Sequence, residues 1–318
     1  MSRNWAPIIN QARTIVNGYQ YLITLRQLHY RLVMTQGLGY INNQTDYKQL
    51  SALTAEGRRQ GNFPALQDQT RTIHRLAHWD SPAEGIRALA SQYRRNRTET
   101  QDCFLCLAGE KATLLAQMND WFNRDITNAA NPADNRRALG IPIVLTRGYG
   151  SQTYTDDVKD MVLSDGRKAV LIYAGDMDPS GEDILRDFLH RTDCFDEVEH
   201  IAVRDQQISG FGLAVNEGKP QDSRAEAFVD RYPELHGQYG LGWGKMQRVK
   251  QNDGYVMRPT PVQIEVEAIE PNDLRQLYQD ALDRWWNQGA YDTLLDVEGE
   301  ERQQLYDLID QLEQEESE

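Results

Sequence analysis

A short apolar run, Val170, Leu171, Ile172, Tyr173 and Ala174, stops at Gly175 and is followed at once by Asp176, Asp178, Pro179 and Gly181. A run that is apolar at every position has no solvent-facing side. It therefore reads as a strand covered on both faces, as in a parallel sheet with helices above and below. Proline and glycine end the strand, Asp178 or Ser180 can cap the next element, and residues 182–190 have helical spacing. Open α/β sheets carry their chemistry outside the carboxyl ends of their strands. Two carboxylates at that point can share one hard divalent cation; a solvated acidic turn is the alternative.

From residue 102 the same grammar repeats. Strands are expected at 104–108, 141–146, 170–174 and 198–203, with helices between them, which is the pattern of an α/β parallel sheet. Glu110 and Lys111 follow the first strand, and the turn Arg147, Gly148, Tyr149, Gly150 follows the second. Cys103 and Cys106 lie within the first strand, where alternation sends them to opposite faces as buried thiols rather than as a zinc pair. Residues 209–254 read as an irregular wrap with scattered basic and aromatic side chains. A last strand is expected at 262–269, a helix at 272–286, and an acidic helix or disordered tail at 300–315.

The first 99 residues differ in sign and periodicity. They hold 13 basic and 6 acidic side chains, in a chain whose net charge is -14. Helices are expected at 5–16, from a Thr24 cap onward with Leu25, Leu28, Leu32 and Val33 as the apolar stripe, and at 46–59. The polar segment after them reads as a β-wing, so the module has the outline of a winged helix-turn-helix. Ser81 and Glu84 form a capping box opening a helix through Arg97. His74 and His78, one turn apart, lack a third metal ligand and read as backbone-facing DNA contacts or core edges. The chain thus divides into a basic DNA-binding domain at 1–99, a metal-binding domain at 100–294, and a tail at 295–318 with ten acids and one arginine. Arg58, Arg59, Arg71, Arg75 and Arg147 are the expected phosphate contacts. No stretch is a membrane span or secretory signal, and a cytoplasmic location is expected.

Glu110 after one strand, a glycine turn after the next and Asp176 with Asp178 after the third together resemble a Toprim domain. With the N-terminal module, the chain is similar over nearly its whole length to the A subunit of type IIB DNA topoisomerases (topoisomerase VI), the related meiotic double-strand-break transesterase, and their small stand-alone phage and bacterial homologues. RQLHY at 26–30 resembles that family's R-x-x-Y-Y-like motif, with Tyr30 in the nucleophile position and His29 replacing the first aromatic. Asp176, Asp178, Pro179 and Gly181 match its D-x-D-P-x-G, and the segment IEVEAIEP at 264–271 resembles its C-terminal acidic strand. In the glycine turn, Ser151 stands where topoisomerase members often have an acid.

The resemblance implies Mg²⁺, or Mn²⁺, at Glu110, Asp176 and Asp178. It also implies a homodimer on double-stranded DNA, with the tyrosine of one subunit paired to the metal of the other, and an ATPase or SMC-type partner protein. On physical grounds Arg26 lies one helical turn from Tyr30, and is expected to favour the phenolate and hold a phosphate, with Lys111 or Arg147 neutralising a phosphate oxygen. Tyr30 as nucleophile gives a transesterase; water as nucleophile gives a metal-dependent nuclease on the same fold; loss of both gives a non-catalytic DNA-binding factor.

Overall fold

Three helices open the chain: α1 (Ala6–Asn17), α2 (Leu25–Met34) and α3 (Gln44–Arg59). The computed structural model describes residues 3–19, 21–67, 78–126, 135–148, 150–235, 245–251 and 254–315. Thr24 caps α2 reciprocally with Gln27, and Asn43 caps α3 through the Asp46 amide. Ile8, Ala12, Val16, Leu28, Leu32 and Leu50 form the core shared by the three helices. Half of the expected wing, residues 68–75 of 60–75, lies outside the described residues. The part described, 60–67, makes no strand beyond a parallel bridge between Thr24 and Gln67, and packs Phe63 into the three-helix core.

Beyond α4 (Pro82–Gln92), the strands β1 (Cys103–Gly109), β2 (Ile143–Leu145), β3 (Lys168–Ala174) and β4 (Glu197–Ala202) form one all-parallel sheet in the order β2-β1-β3-β4. Alternation divides its core cleanly. Cys103, Leu105 and Leu107 join Val170 and Ile172 beneath α5 (Ala112–Phe122) and α10 (Pro271–Leu282). Phe104, Cys106 and Ala108 join Leu171 and Tyr173 beneath α6 (Gln152–Asp165) and α7 (Pro179–Thr192). The two cysteines are thus buried, free and on opposite faces.

Strands β1 and β3 are neighbours, yet α5 leads from β1 to one edge of the sheet and α7 leads from β3 to the other. That reversal opens a crevice at their carboxyl ends. Glu110 and Asp176 stand on its two sides.

Several expected elements change. Residues 262–269 are not a strand throughout: β8 (Val262–Gln263) pairs with β5 (Asn216–Glu217), and Val266–Ala268 is a turn of 3₁₀ helix. The irregular wrap contains α8 (Asp205–Gly210), α9 (Ala225–Arg231) and a β-hairpin of β6 (Met246–Gln251) and β7 (Gly254–Pro259). Helix α4 ends at Gln92 rather than Arg97. Its Ser81 accepts from the Glu84 amide, but Glu84 Oε2 reaches the Asp80 amide instead of closing the box on Ser81. Among the described residues no helix is long and apolar enough to cross a membrane.

The acidic segment is a helix, as one of the two expectations had it: it runs on from α11 (Gln288–Glu315), which packs along α4, and the departure is that Glu298 within it is fully buried. Its carboxylate accepts from Arg97 Nη2 at 2.7 Å and Nε at 3.0 Å, while Arg97 Nη1 reaches Asp125 at 3.0 Å and the Ala138 carbonyl at 2.7 Å. Deleting one member of such a pair strands the other charge, at about 3 kcal/mol or more. Glu298→Gln is expected to lower the unfolding free energy by roughly that amount in denaturant titration. Deletion of 295–318 should destabilise the chain rather than merely release the basic domain. An unchanged denaturation midpoint in both would contradict the role given to Arg97.

Candidate functional site

Each side chain of the site is set by the end of an element. Glu110 and Lys111 follow β1, with Lys111 the residue before α5. Asp176 follows β3 after Gly175, and Asp178 caps α7, its Oδ1 accepting from the Gly181 amide at 2.7 Å. A Cβ at Gly181 would collide with the Asp176 carbonyl and stand 3.2 Å from Glu110 Oε2, so only glycine lets α7 start this close to the crevice. The Asp176 amide donates to Glu110 Oε2 at 3.1 Å, which locks the two strand ends together.

A fourth segment completes the site. Met177 and Ile264 exchange two backbone hydrogen bonds of 2.9 and 3.1 Å, bringing Glu265 and Glu267 to the crevice. The Val266 amide donates to Asp176 Oδ1 at 2.8 Å, and Thr113 Oγ1 donates to Glu267 at 2.8 Å. Lys111 Nζ lies among these carboxylates, 2.9 Å from Asp176 Oδ2, 3.7 Å from Glu267 and in contact with Glu265. Burial alone would depress the Lys111 ammonium, but Asp176, Glu267 and Glu265 outweigh it and hold its pKa above the ordinary value. Burial, then Asp176, pushes the Glu110 carboxyl well above the usual range; burial does the same to Asp176, against the pull of Lys111.

Helix α2 docks on this cluster. Arg26 Nη2 donates to Glu265 Oε1 at 2.6 Å and its Nε lies 3.4 Å from Glu267; Arg31 donates to the Ala268 carbonyl at 2.7 Å. Tyr30 is buried and belongs to the core of the parallel sheet. It lines, with Arg26, His29, Asn42 and Tyr47, a cavity of about 250 Å³. The tyrosine and the acids therefore meet within one chain. His29 is fixed by Tyr40 Oη at 2.6 Å and Asn42 Oδ1 at 3.0 Å.

Arg26 does favour the phenolate, as expected, but the net shift of Tyr30 runs the other way. Burial and the Glu265 charge raise the Tyr30 pKa, and Arg26 with Lys111 only partly offsets them. Arg26 and Lys111 are both held by Glu265 and Glu267. Sequence reasoning did not single out those two acids; acids alternating with apolar residues in IEVEAI were the available signal.

For a cation, the donor chemistry fits: Asp176, Glu265 and Glu267 surround Lys111, Glu265 and Glu267 also hold Arg26, and Glu110 and Asp178 add two carboxylates beside Asp176. Their oxygens are nonetheless engaged with amides and Lys111. Among the described residues no group of three or more is arranged to hold a metal ion. Arg58 and Arg59 are exposed at the end of α3, Arg147 is exposed after β2, and Arg71, Arg75, His74 and Tyr149 lie outside the described residues. His78 is exposed. Tyr154, at the start of α6, accepts from the Leu145 amide at 2.8 Å. The chain matches no protein-family model and no curated protein sequence.

Removing the Glu265 charge should lower the Tyr30 pKa. The phenol titration of Tyr30, taken as the ultraviolet difference between the chain and its Tyr30→Phe variant, is expected at lower pH in a Glu265→Gln background. A midpoint that stays put or rises would show that Glu265 does not face the phenol.

Proposed function

We propose that this chain is a metal-dependent DNA-cleaving enzyme of the topoisomerase VI A-subunit type, with an N-terminal winged helix and a Toprim domain, acting by tyrosine transesterification. The observation that carries the reading is the meeting, at a strand-order reversal, of Tyr30 and Arg26 from α2 with Glu110, Lys111 and Asp176 from β1 and β3.

Glu110, Asp176 and Asp178 would hold Mg²⁺ or Mn²⁺, which when bound supplies charge neutralisation at the scissile phosphate and the leaving oxygen. The remaining work falls to the chain. Arg26 and Lys111 exchange Glu265 and Glu267 for phosphate oxygens and so orient the phosphorus toward the Tyr30 oxygen. The phenol gives up its proton to water in the adjoining cavity, its oxygen bonds to phosphorus, and the bond to the 3′ oxygen breaks as that oxygen takes a proton. The 5′ end is left on Tyr30. Two strands require two such tyrosines, hence a homodimer on double-stranded DNA, and an ATPase or SMC-type partner would organise it. Exposed Arg58, Arg59 and Arg147 supply phosphate contacts, with Arg71 and Arg75.

The burial of Tyr30 and its raised pKa favour a second reading, in which water attacks and Arg26 serves as a phosphate clamp. Denaturation during reaction separates the two. Transesterification leaves protein covalently on 5′ ends, and Tyr30→Phe abolishes both adduct and breaks while binding persists; continued cutting by Tyr30→Phe assigns the reaction to water. Asp176→Asn, or chelation by EDTA, is expected to reduce cleavage at least ~100-fold. Full activity in EDTA would rule out both readings. Because the phenolate is the attacking form, the rate should climb with pH through the alkaline range, most steeply for the transesterase.

A further inference from the structure

The β6–β7 hairpin departs in sign and shape from the acidic domain that carries it. Its register places Met246 opposite Pro259, Arg248 opposite Met257 and Lys250 opposite Tyr255 on one face. Gln247 opposite Arg258 and Val249 opposite Val256 form the other. The second face is turned to the body: Val249 is buried, and half-buried Arg258 donates to the Asp222 carbonyl at 3.0 Å. The first face is open. Met246, Arg248, Lys250, Tyr255 and Met257 line it, and the Arg248 guanidinium lies 4.0 Å from the centroid of the Tyr255 ring. Met246, Tyr255 and Met257 are exposed apolar side chains, and Lys250 is exposed beside them.

The C-terminal end of β7 leads to the candidate site by two routes. Asp222, which anchors Arg258, accepts from Ser180 Oγ at 3.3 Å, and Ser180 is in the first turn of α7 just after Asp178. Along the chain, β7 continues from the same end through Thr260 and β8 into Ile264 and Glu265.

We propose that the outward face of the β6–β7 ribbon is a second duplex-DNA contact, seated in a groove of the same DNA whose phosphate enters the Tyr30 site. The inference rests on the DNA-cleavage reading above. A two-stranded ribbon fits the DNA major groove, and six residues per strand span about 20 Å, roughly six base pairs. Charge selects the partner. Residues 100–318 hold 21 basic and 42 acidic side chains, yet the outward face presents Arg248 and Lys250 and no acid among the described residues. Neither cation is ion-paired among the described residues, so each is available to a phosphate. Tyr255 adds a ring that can pack on sugar or base edges.

The test uses the full chain with Tyr30→Phe, so that cutting does not interfere, bound to a fluorescent duplex of mixed sequence over a range of salt concentrations. Arg248→Ala with Lys250→Ala should flatten the slope of log affinity against log salt by about 2, and should weaken binding roughly 50-fold at ~0.1 M salt. Tyr255→Ala should weaken binding several-fold and leave the slope alone, since it removes no charge. Thermal midpoints should not move, because the outward face makes no contact with the core. A double variant that keeps the parent slope and affinity overturns the ribbon and leaves the DNA reading intact. If neither protein binds duplex at any salt, both fall together. If the double variant binds duplex normally but loses a hold that its parent has on phosphatidylserine vesicles, the ribbon faces a membrane and the proposal is wrong.

Discussion

Lys111 Nζ joins carboxylates from separate parts of the chain: Asp176 at the end of β3, and Glu265 and Glu267 beyond β8. Without a cation there, three acids drawn out of water would repel one another, and losing one partner of a buried pair costs about 3–5 kcal/mol. Much of the architecture serves to satisfy that group. The sheet order brings β1 beside β3, the Met177–Ile264 bridge delivers the glutamates, and α2 docks through Arg26 on the same two acids. The ion cluster is both the joint between the helical module and the α/β domain and the place where chemistry is proposed.

That double use sets the character of the resting site. The two cations best placed to receive a phosphate are already neutralised by Glu265 and Glu267, and the phenol beside them is held protonated by burial and by Glu265. A site of this kind is quiet until a phosphodiester and a cation change the balance of charge. For a chain proposed to cleave DNA, quiescence in isolation is a physically sensible ground state.

Much of this is legible in the sequence. Strands β1 and β3 are apolar at every interior position because both faces are covered, and Asp176, Asp178 and Glu110 stand where such strands end. The helix caps Thr24 and Asp178 arise from local chemistry alone. The features that are not legible depend on distant partners. Glu265 and Glu267 alternate with apolar residues, so the segment imitates a strand, and only the Met177 bridge shows that its acids point at Lys111. Glu298 is one acid among many in a tail whose composition suggests solvation; its burial is dictated by Arg97, far away in sequence. The ribbon is hidden because polar residues dominate β6 and the apolar residues of β7 do not alternate but fall on both faces, with one face in solvent. The direction of the Tyr30 shift is hidden for the same reason: Arg26 is local and visible, Glu265 is neither.

Tyr30 packs its ring into the core of the α/β sheet while carrying the oxygen assigned to attack. Packing asks for six carbons and chemistry asks for one oxygen, and the two demands can be told apart across evolution. A lineage that kept the fold but abandoned cutting would lose nothing by drifting to phenylalanine at this position, and would gain by shedding a buried hydroxyl. Among descendants of one ancestral chain, retention of the hydroxyl, rather than of the aromatic ring, is the mark of continued selection for the reaction.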